Sequence, residues 1–152
     1  MNLGLVDING LDLSGNFTWE RQESSINLTL TYSFQQALDH TDPKNWKIYG
    51  NQIPYTPRHS GGITAYIENR WCNIGYNCML VGERYYMQQN NEETRMAPYA
   101  DHGITLDRSF ELPIGDLTLQ AQVLNLFNVQ YEVVRSYPMM GRNFRIKVSY
   151  SF

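Results

Sequence analysis

The sequence predicts an all-β protein, an antiparallel up-and-down meander of about seven strands. Three observations lead there. Apolar residues recur with a period of two in segment after segment, which puts them on one face of an extended chain. No segment carries a sustained helical period. The connections between the alternating segments are short and long by turns.

The strands follow in order. In the first, Leu11, Leu13, Gly15, Phe17 and Trp19 share a face opposite Asp12, Ser14, Asn16 and Thr18. In the second, Ile26, Leu28, Leu30, Tyr32 and Phe34 oppose Asn27, Thr29, Thr31 and Ser33. The third is weaker, with Ile63, Ala65 and Ile67 on one side. The fourth gathers Ile74, Tyr76, Cys78 and Leu80, and the fifth sets Ile104 and Leu106 against Thr105 and Asp107. The sixth sets Leu117, Leu119, Ala121 and Val123 against Thr118, Gln120 and Gln122. The seventh is the cleanest: Phe144, Ile146, Val148, Tyr150 and Phe152 alternate with Arg145, Lys147, Ser149 and Ser151.

Short turns lie at RQES, RWCN and ELPIGD. Long connections occupy residues 35–60, MQQNNEETRMAPYADH and NVQYEVVRSYPMMG. In a meander this sorts every short turn to one end and every long loop to the other. Transmembrane β-barrels are built that way, with strands of nine or more residues. Trp19, Tyr32, Phe34, Tyr85, Tyr86, Phe110, Phe127, Tyr150 and Phe152 fall near strand ends, as in interfacial girdles. The competing reading is a soluble β protein whose aromatics fill an ordinary core.

Composition narrows the classes. The 152 residues carry a formal net charge of -3, which leaves no electrostatic footprint for nucleic acid. Charged residues make up 18%, and the mean hydropathy is -0.46. No apolar run is long enough for a spanning helix, but a barrel hides half of each strand in a polar lumen. The opening MNLGLVDING has neither the basic start nor the apolar stretch of a signal peptide. The chain therefore reads as either cytoplasmic or the tail of something longer. Cys72 and Cys78 sit six apart; if they share one strand they are about 20 Å apart, too far to bridge, and two are too few for a metal site. They read as free thiols or space-fillers.

The end of the chain carries a resemblance. Asn125-Leu126-Phe127-Asn128, Tyr131, Tyr137-Pro138, Gly141-Arg142 and the terminal Phe152 resemble the close of TonB-dependent outer-membrane receptors. Met140 stands where that pattern commonly has Pro. IPYTPRHSGG looks like the family's lead-in to a late strand, with Pro54 and Pro57 suited to a rim, and VGERYY like a strand end facing outward. Gly141 suits a tight turn before the last strand.

The resemblance implies the carboxy-terminal segment of a 22-stranded transmembrane β-barrel. Residues 1–152 would then be wall and loops without plug or signal peptide. It implies a parent in the Gram-negative outer membrane that takes up a scarce nutrient (ferric siderophore, haem, cobalamin or glycan) with TonB-derived energy. The implied partners are outer-membrane lipid, the barrel assembly machinery, TonB through the plug of the parent, and an unidentified small molecule. Phe144, Ile146, Val148, Tyr150 and Phe152 would form the assembly signal. Leu11, Leu13, Phe17, Ile26, Leu28, Leu30, Tyr32, Leu117 and Leu119 would face lipid.

Ligand-contacting candidates are the loop residues His40, Trp46, Tyr49, Arg95, Tyr99 and Tyr137. His40, His59 and His102 lie in or next to long connections and could in principle bind haem or metal, yet isolated loop histidines are usually solvated. Asp107, Arg108 and Glu111 invite an acid–base story but straddle a strand end and its turn. No nucleophile–base–orienter set is visible, so no enzyme, catalytic residue, metal or cofactor is expected. A smaller porin-like barrel and a soluble lipocalin-type binder remain as alternatives. The soluble binder would turn Leu28, Leu30 and Leu119 inward; a membrane barrel would turn them out.

Overall fold

A computed structural model describes residues 4–152. Seven strands form one antiparallel sheet: β1 (Val6–Arg21), β2 (Ser24–Asp39), β3 (His59–Asn69), β4 (Asn73–Val81), β7 (Tyr99–Leu112), β8 (Gly115–Leu124) and β11 (Asn143–Ser151). The long loops carry two minor hairpins, β5 (Arg84–Tyr85) with β6 (Arg95–Met96) and β9 (Glu132–Val134) with β10 (Tyr137–Pro138). A 3-10 turn at Glu92–Thr94 is the single helical piece among the described residues. The main strands neighbour one another in chain order, so the expected meander is present. The sheet is open, with β1 and β11 as its edges.

The alternation read from the sequence becomes two continuous faces because residues directly opposite on antiparallel strands share a side. Across β1 and β2, Leu13 meets Tyr32, Phe17 meets Leu28 and Trp19 meets Ile26. The row from Ile26 runs through Ile67, Ile74, Leu106, Ala121 and Ile146, apolar in all seven strands. The other face is polar and cross-linked. Asn16 accepts from Thr29 Oγ1 (2.9 Å), Glu68 from Ser25 Oγ (2.8 Å), and Asp107 from Asn73 Nδ2 (2.9 Å).

The apolar face has no partner layer. Phe17 is 57% and Ile146 80% exposed, and the buried hydrophobic residues among those described are Ala37, Cys78 and Met96. The accessible surface is 10755 Å², whereas a compact monomer of 17.7 kDa would expose about 8,000 Å². A soluble binder packs its apolar face inward; this sheet bares it.

The apolar run also drifts relative to the hydrogen-bonded rows. On β1 it spans Leu11 to Trp19 and centres on Gly15. The row through Gly15 passes Leu30, Ile63, Cys78 and His102. Continued two pairs past the last registered β7–β8 partners and one pair past the β8–β11 partners, it reaches Asn125 and Arg142. On β11 the run from Phe144 to Phe152 centres on Val148, about six residues beyond Arg142 over six strand-to-strand steps.

Several boundaries differ from the sequence reading. β1 and β2 extend well past their apolar runs, to Val6 and Asp39, because a two-stranded ladder continues wherever backbone partners exist. The long segment after β2 therefore starts near residue 40 rather than 35. Asp107 and Arg108 do not straddle a strand end: both lie inside β7, on opposite faces, and Glu111 lies there too. Gly141 has no positive φ; a Cβ there would come within 2.6 Å of Asn128 Oδ1, so crowding rather than turn geometry calls for glycine. Gly115 is the turn glycine, with φ +146° after the 113–114 turn. Short connections at 22–23, 70–72 and 113–114 lie at one end, and long ones at 40–58, 82–98 and 125–142 lie at the other.

Candidate functional site

The long-loop end is where the chain gathers varied chemistry, and hydrogen bonds stitch the three loops into one cap. Gln52 is the hub of the first seam. Its side chain accepts from Ala37 N (3.1 Å) and donates to Gln35 O and Thr56 O, while its backbone exchanges a reciprocal pair with the Asn90 amide (2.7 and 3.0 Å). Asn51 Nδ2 donates to Gln88 O (3.0 Å), and Gln88 Nε2 to Asp39 Oδ2. Buried amides must be paired in this way or cost about 1–3 kcal/mol each, so loop 40–58 and loop 82–98 hold each other.

Arg84 makes the second seam. Its guanidinium is buried and donates to Ala97 O and to Glu132 O of the third loop, with the Tyr99 ring 5.1 Å away. Tyr99 stacks on Tyr131 at 4.1 Å, and the Tyr131 hydroxyl donates to Asp101 Oδ2 (2.7 Å). Burial, then the Asp101 hydrogen bond and charge, push the Tyr131 phenol up from its ordinary range. Asp101 Oδ1 is buried without a partner. Asn125 closes the third loop on itself: its Nδ2 donates to Val129 O (2.9 Å) and Met140 O (3.1 Å), and its Oδ1 accepts from Val129 N (2.8 Å).

The predicted ligand-contacting residues divide. His40 and Tyr49 come together, rings 4.9 Å apart, but His40 Nδ1 lies 2.5 Å from Asp7 Oδ2 and so helps seal the β1–β2 end. Arg95 is held between Glu83 (3.0 Å) and Glu92 (3.1 Å). Tyr99 is half-buried beneath Tyr131. Trp46 and Tyr137 stand apart from this packing, 80% and 72% exposed. Between the second and third loops Arg95, Tyr131, Glu132 and Arg135 line a cleft of about 420 Å³. Its donors, acceptors and aromatic ring suit a polar small molecule.

His59 and His102 are strand residues rather than loop residues. Each turns toward the apolar face and shares a hydrogen bond with a tyrosine hydroxyl, Tyr32 and Tyr76 respectively, both at 2.8 Å. Near them Tyr32, His59, Gly61, Leu80 and Ala100 line a groove of about 500 Å³. No group of three or more metal-ligating side chains occurs among the described residues. The seam residues Gln52, Arg84, Asn90 and Asp101 were missed by sequence reasoning. An isolated Gln or Asn in a polar loop carries no periodic signal; Gln52, Asn90 and Asp101 lie in the long connections and Arg84 in VGERYY, but nothing in those patterns marks them as seam residues.

An antiparallel meander with one apolar face, one polar face, short turns below and a loop cap above is the construction of a β-barrel wall. The sequence model of the family described as TonB dependent receptor-like, beta-barrel matches residues 1–126, and the chain belongs to that family, one of outer-membrane receptors and transporters. The match covers six of the seven sheet strands and ends inside the Asn125–Asn128 element. Among curated proteins no relative matches the chain.

Proposed function

We propose that this chain is the carboxy-terminal part of the wall and outer loops of a 22-stranded outer-membrane receptor. The parent takes up a scarce nutrient (ferric siderophore, haem, cobalamin or glycan) with energy delivered by TonB to a plug elsewhere in the protein. In this reading the apolar face, including Leu11, Leu13, Phe17, Ile26, Leu28, Leu30, Tyr32, Leu117 and Leu119, meets lipid. Thr29, Gln120 and Gln122 face the lumen. The loop cap lies outside and contributes Trp46, Tyr137 and the Arg95–Arg135 cleft to the ligand vestibule. Phe144 to Phe152 is the strand read by the barrel assembly machinery.

The observation that carries this reading is the drift of the apolar band. A shift of about one residue per strand, at about 3.3 Å per residue against about 4.8 Å between strands, corresponds to a tilt of about 35° from the membrane normal. Transmembrane barrels tilt their strands by about 35–45°. Eight residue steps along β1 then span about 22 Å of depth, close to the roughly 25 Å apolar band of such barrels. A soluble sandwich has no reason to level its apolar face against a tilted plane.

Strand direction supports a larger whole. β1 and β11 both run from the loop end to the turn end, so joining them would make a parallel pair. Antiparallel closure takes an odd number of further strands, which argues against a small porin-like barrel made from these seven alone. The test is fractionation of native cells with an antibody to the terminal peptide. The expected product is an outer-membrane band several times heavier than 17.7 kDa; a soluble band at that mass overturns the proposal.

A further inference from the structure

Arg108 is out of place on the face where it sits. In β7 it lies between Leu106 and Phe110 on the apolar side, directly opposite Leu119, which in turn faces Val148. It is exposed, and its guanidinium carbon is 4.9 Å from the centre of the Phe110 ring. Its sequence neighbours Asp107 and Glu111 belong to the polar face, where Asp107 is occupied by Tyr66 and Asn73. Among the described residues no ion pair includes Arg108, and no other Lys or Arg lies on the apolar side within the apolar run of a main strand; Arg145 and Lys147 of β11 face the polar side, opposite Gln122 and Gln120. An unpaired cation in such a band is costly unless its head reaches a wet interface.

The geometry supplies that reach. Following the drift, the middle of the band on β7 falls at Leu106, so Arg108 stands about 5 Å and Phe110 about 11 Å toward the short-turn end. Stacking on Phe110 therefore aims the guanidinium down the strand to the lower edge of the band. There Tyr150 donates its hydroxyl proton to Ile114 O at 2.9 Å, so it has no proton left to offer a ligand.

We infer that Arg108, backed by Phe110, is a binding site for the phosphodiester of a phospholipid in the periplasmic leaflet, with the acyl chains lying on Leu106, Leu119 and Val148. The inference rests on the membrane-wall reading above. Charge complementarity selects the ligand: a planar guanidinium pairs bidentately with phosphate oxygens, and its strand and cross-strand neighbours Leu106, Phe110, Leu119 and Val148 offer apolar contact.

The experiment uses the outer-membrane protein that carries this chain, folded in detergent. The probes are dioctanoylphosphatidylglycerol, dioctanoylglycerol and inorganic phosphate, with bound lipid read by native mass spectrometry. The phospholipid is expected to bind, dioctanoylglycerol and inorganic phosphate to bind far more weakly, and Arg108→Leu to weaken the phospholipid by about tenfold or more. Arg108→Lys, which keeps the charge, is expected to retain part of the affinity. Arg108→Leu removes a charge from an apolar face and should fold; heat-modifiable electrophoretic mobility checks this. Unchanged phospholipid binding in folded Arg108→Leu overturns the proposal and leaves the wall reading intact. Equal binding of dioctanoylglycerol, or of inorganic phosphate, also overturns it. A wild-type protein without heat-modifiable mobility, absent from the membrane, overturns both.

Discussion

Leu30→Arg puts a guanidinium almost at the middle of the apolar band. With the band centre moving about one residue per strand, the centre on β2 falls at Thr29, and Leu30 stands about 3 Å above it. Its row neighbours are Gly15 and Ile63, neither of which offers a counter-charge. An Arg on the lipid face at the bilayer midplane costs about 2–4 kcal/mol, which is a loss of about 30- to 700-fold in the folding equilibrium. Leu11→Arg, four residues above the β1 centre and so about 11 Å from it, should cost about 0–1 kcal/mol. Thr31→Arg, one residue away from Leu30 but on the polar face, should cost little. The assay is urea titration of the outer-membrane protein carrying this chain as it folds into phospholipid vesicles, read by heat-modifiable mobility. A Leu30→Arg protein within about 0.5 kcal/mol of wild type, inside ordinary surface-substitution scatter, would refute the face assignment. So would a Thr31→Arg protein that loses as much as Leu30→Arg.

Two further outcomes concern the loop cap. Asn125→Ala removes three buried hydrogen bonds and leaves a non-glycine residue at φ +49° without the side-chain compensation Asn provides. At about 1 kcal/mol per bond, loop 125–142 should become markedly more sensitive to limited proteolysis, and Asn125→Gly should recover only the backbone part. Tyr131 has a folded-state pKa raised above its ordinary value of 10.0, first by burial and then by Asp101. The neutral phenol is thus favoured in the folded loop: its contribution is complete below pH about 10 and lost as pH rises through the higher folded value. Tyrosinate absorbance and proteolysis of loop 125–142 should change together above pH 10, and Tyr131→Phe should abolish the step in proteolysis.

What the sequence determined by itself is what is local. A period of two needs only the chain's own pleat, so the membership of each face was legible residue by residue, from Leu11 to Phe152. The sorting of turns and loops was equally legible, because a meander reverses direction at every connection. Tertiary structure decided whatever depends on a partner strand or loop. The extension of β1 and β2 beyond their apolar runs needed their mutual ladder. The Gln52–Asn90 and Arg84–Glu132 seams join residues far apart in the chain, through polar side chains with no periodic signature. Arg108 shows the division most sharply. Its identity was plain in the sequence, but the extent and register of β7 placed it opposite Leu119, turning an ordinary polar residue into a cation on an apolar face. Registry is set by hydrogen bonds between strands, and no single strand contains it.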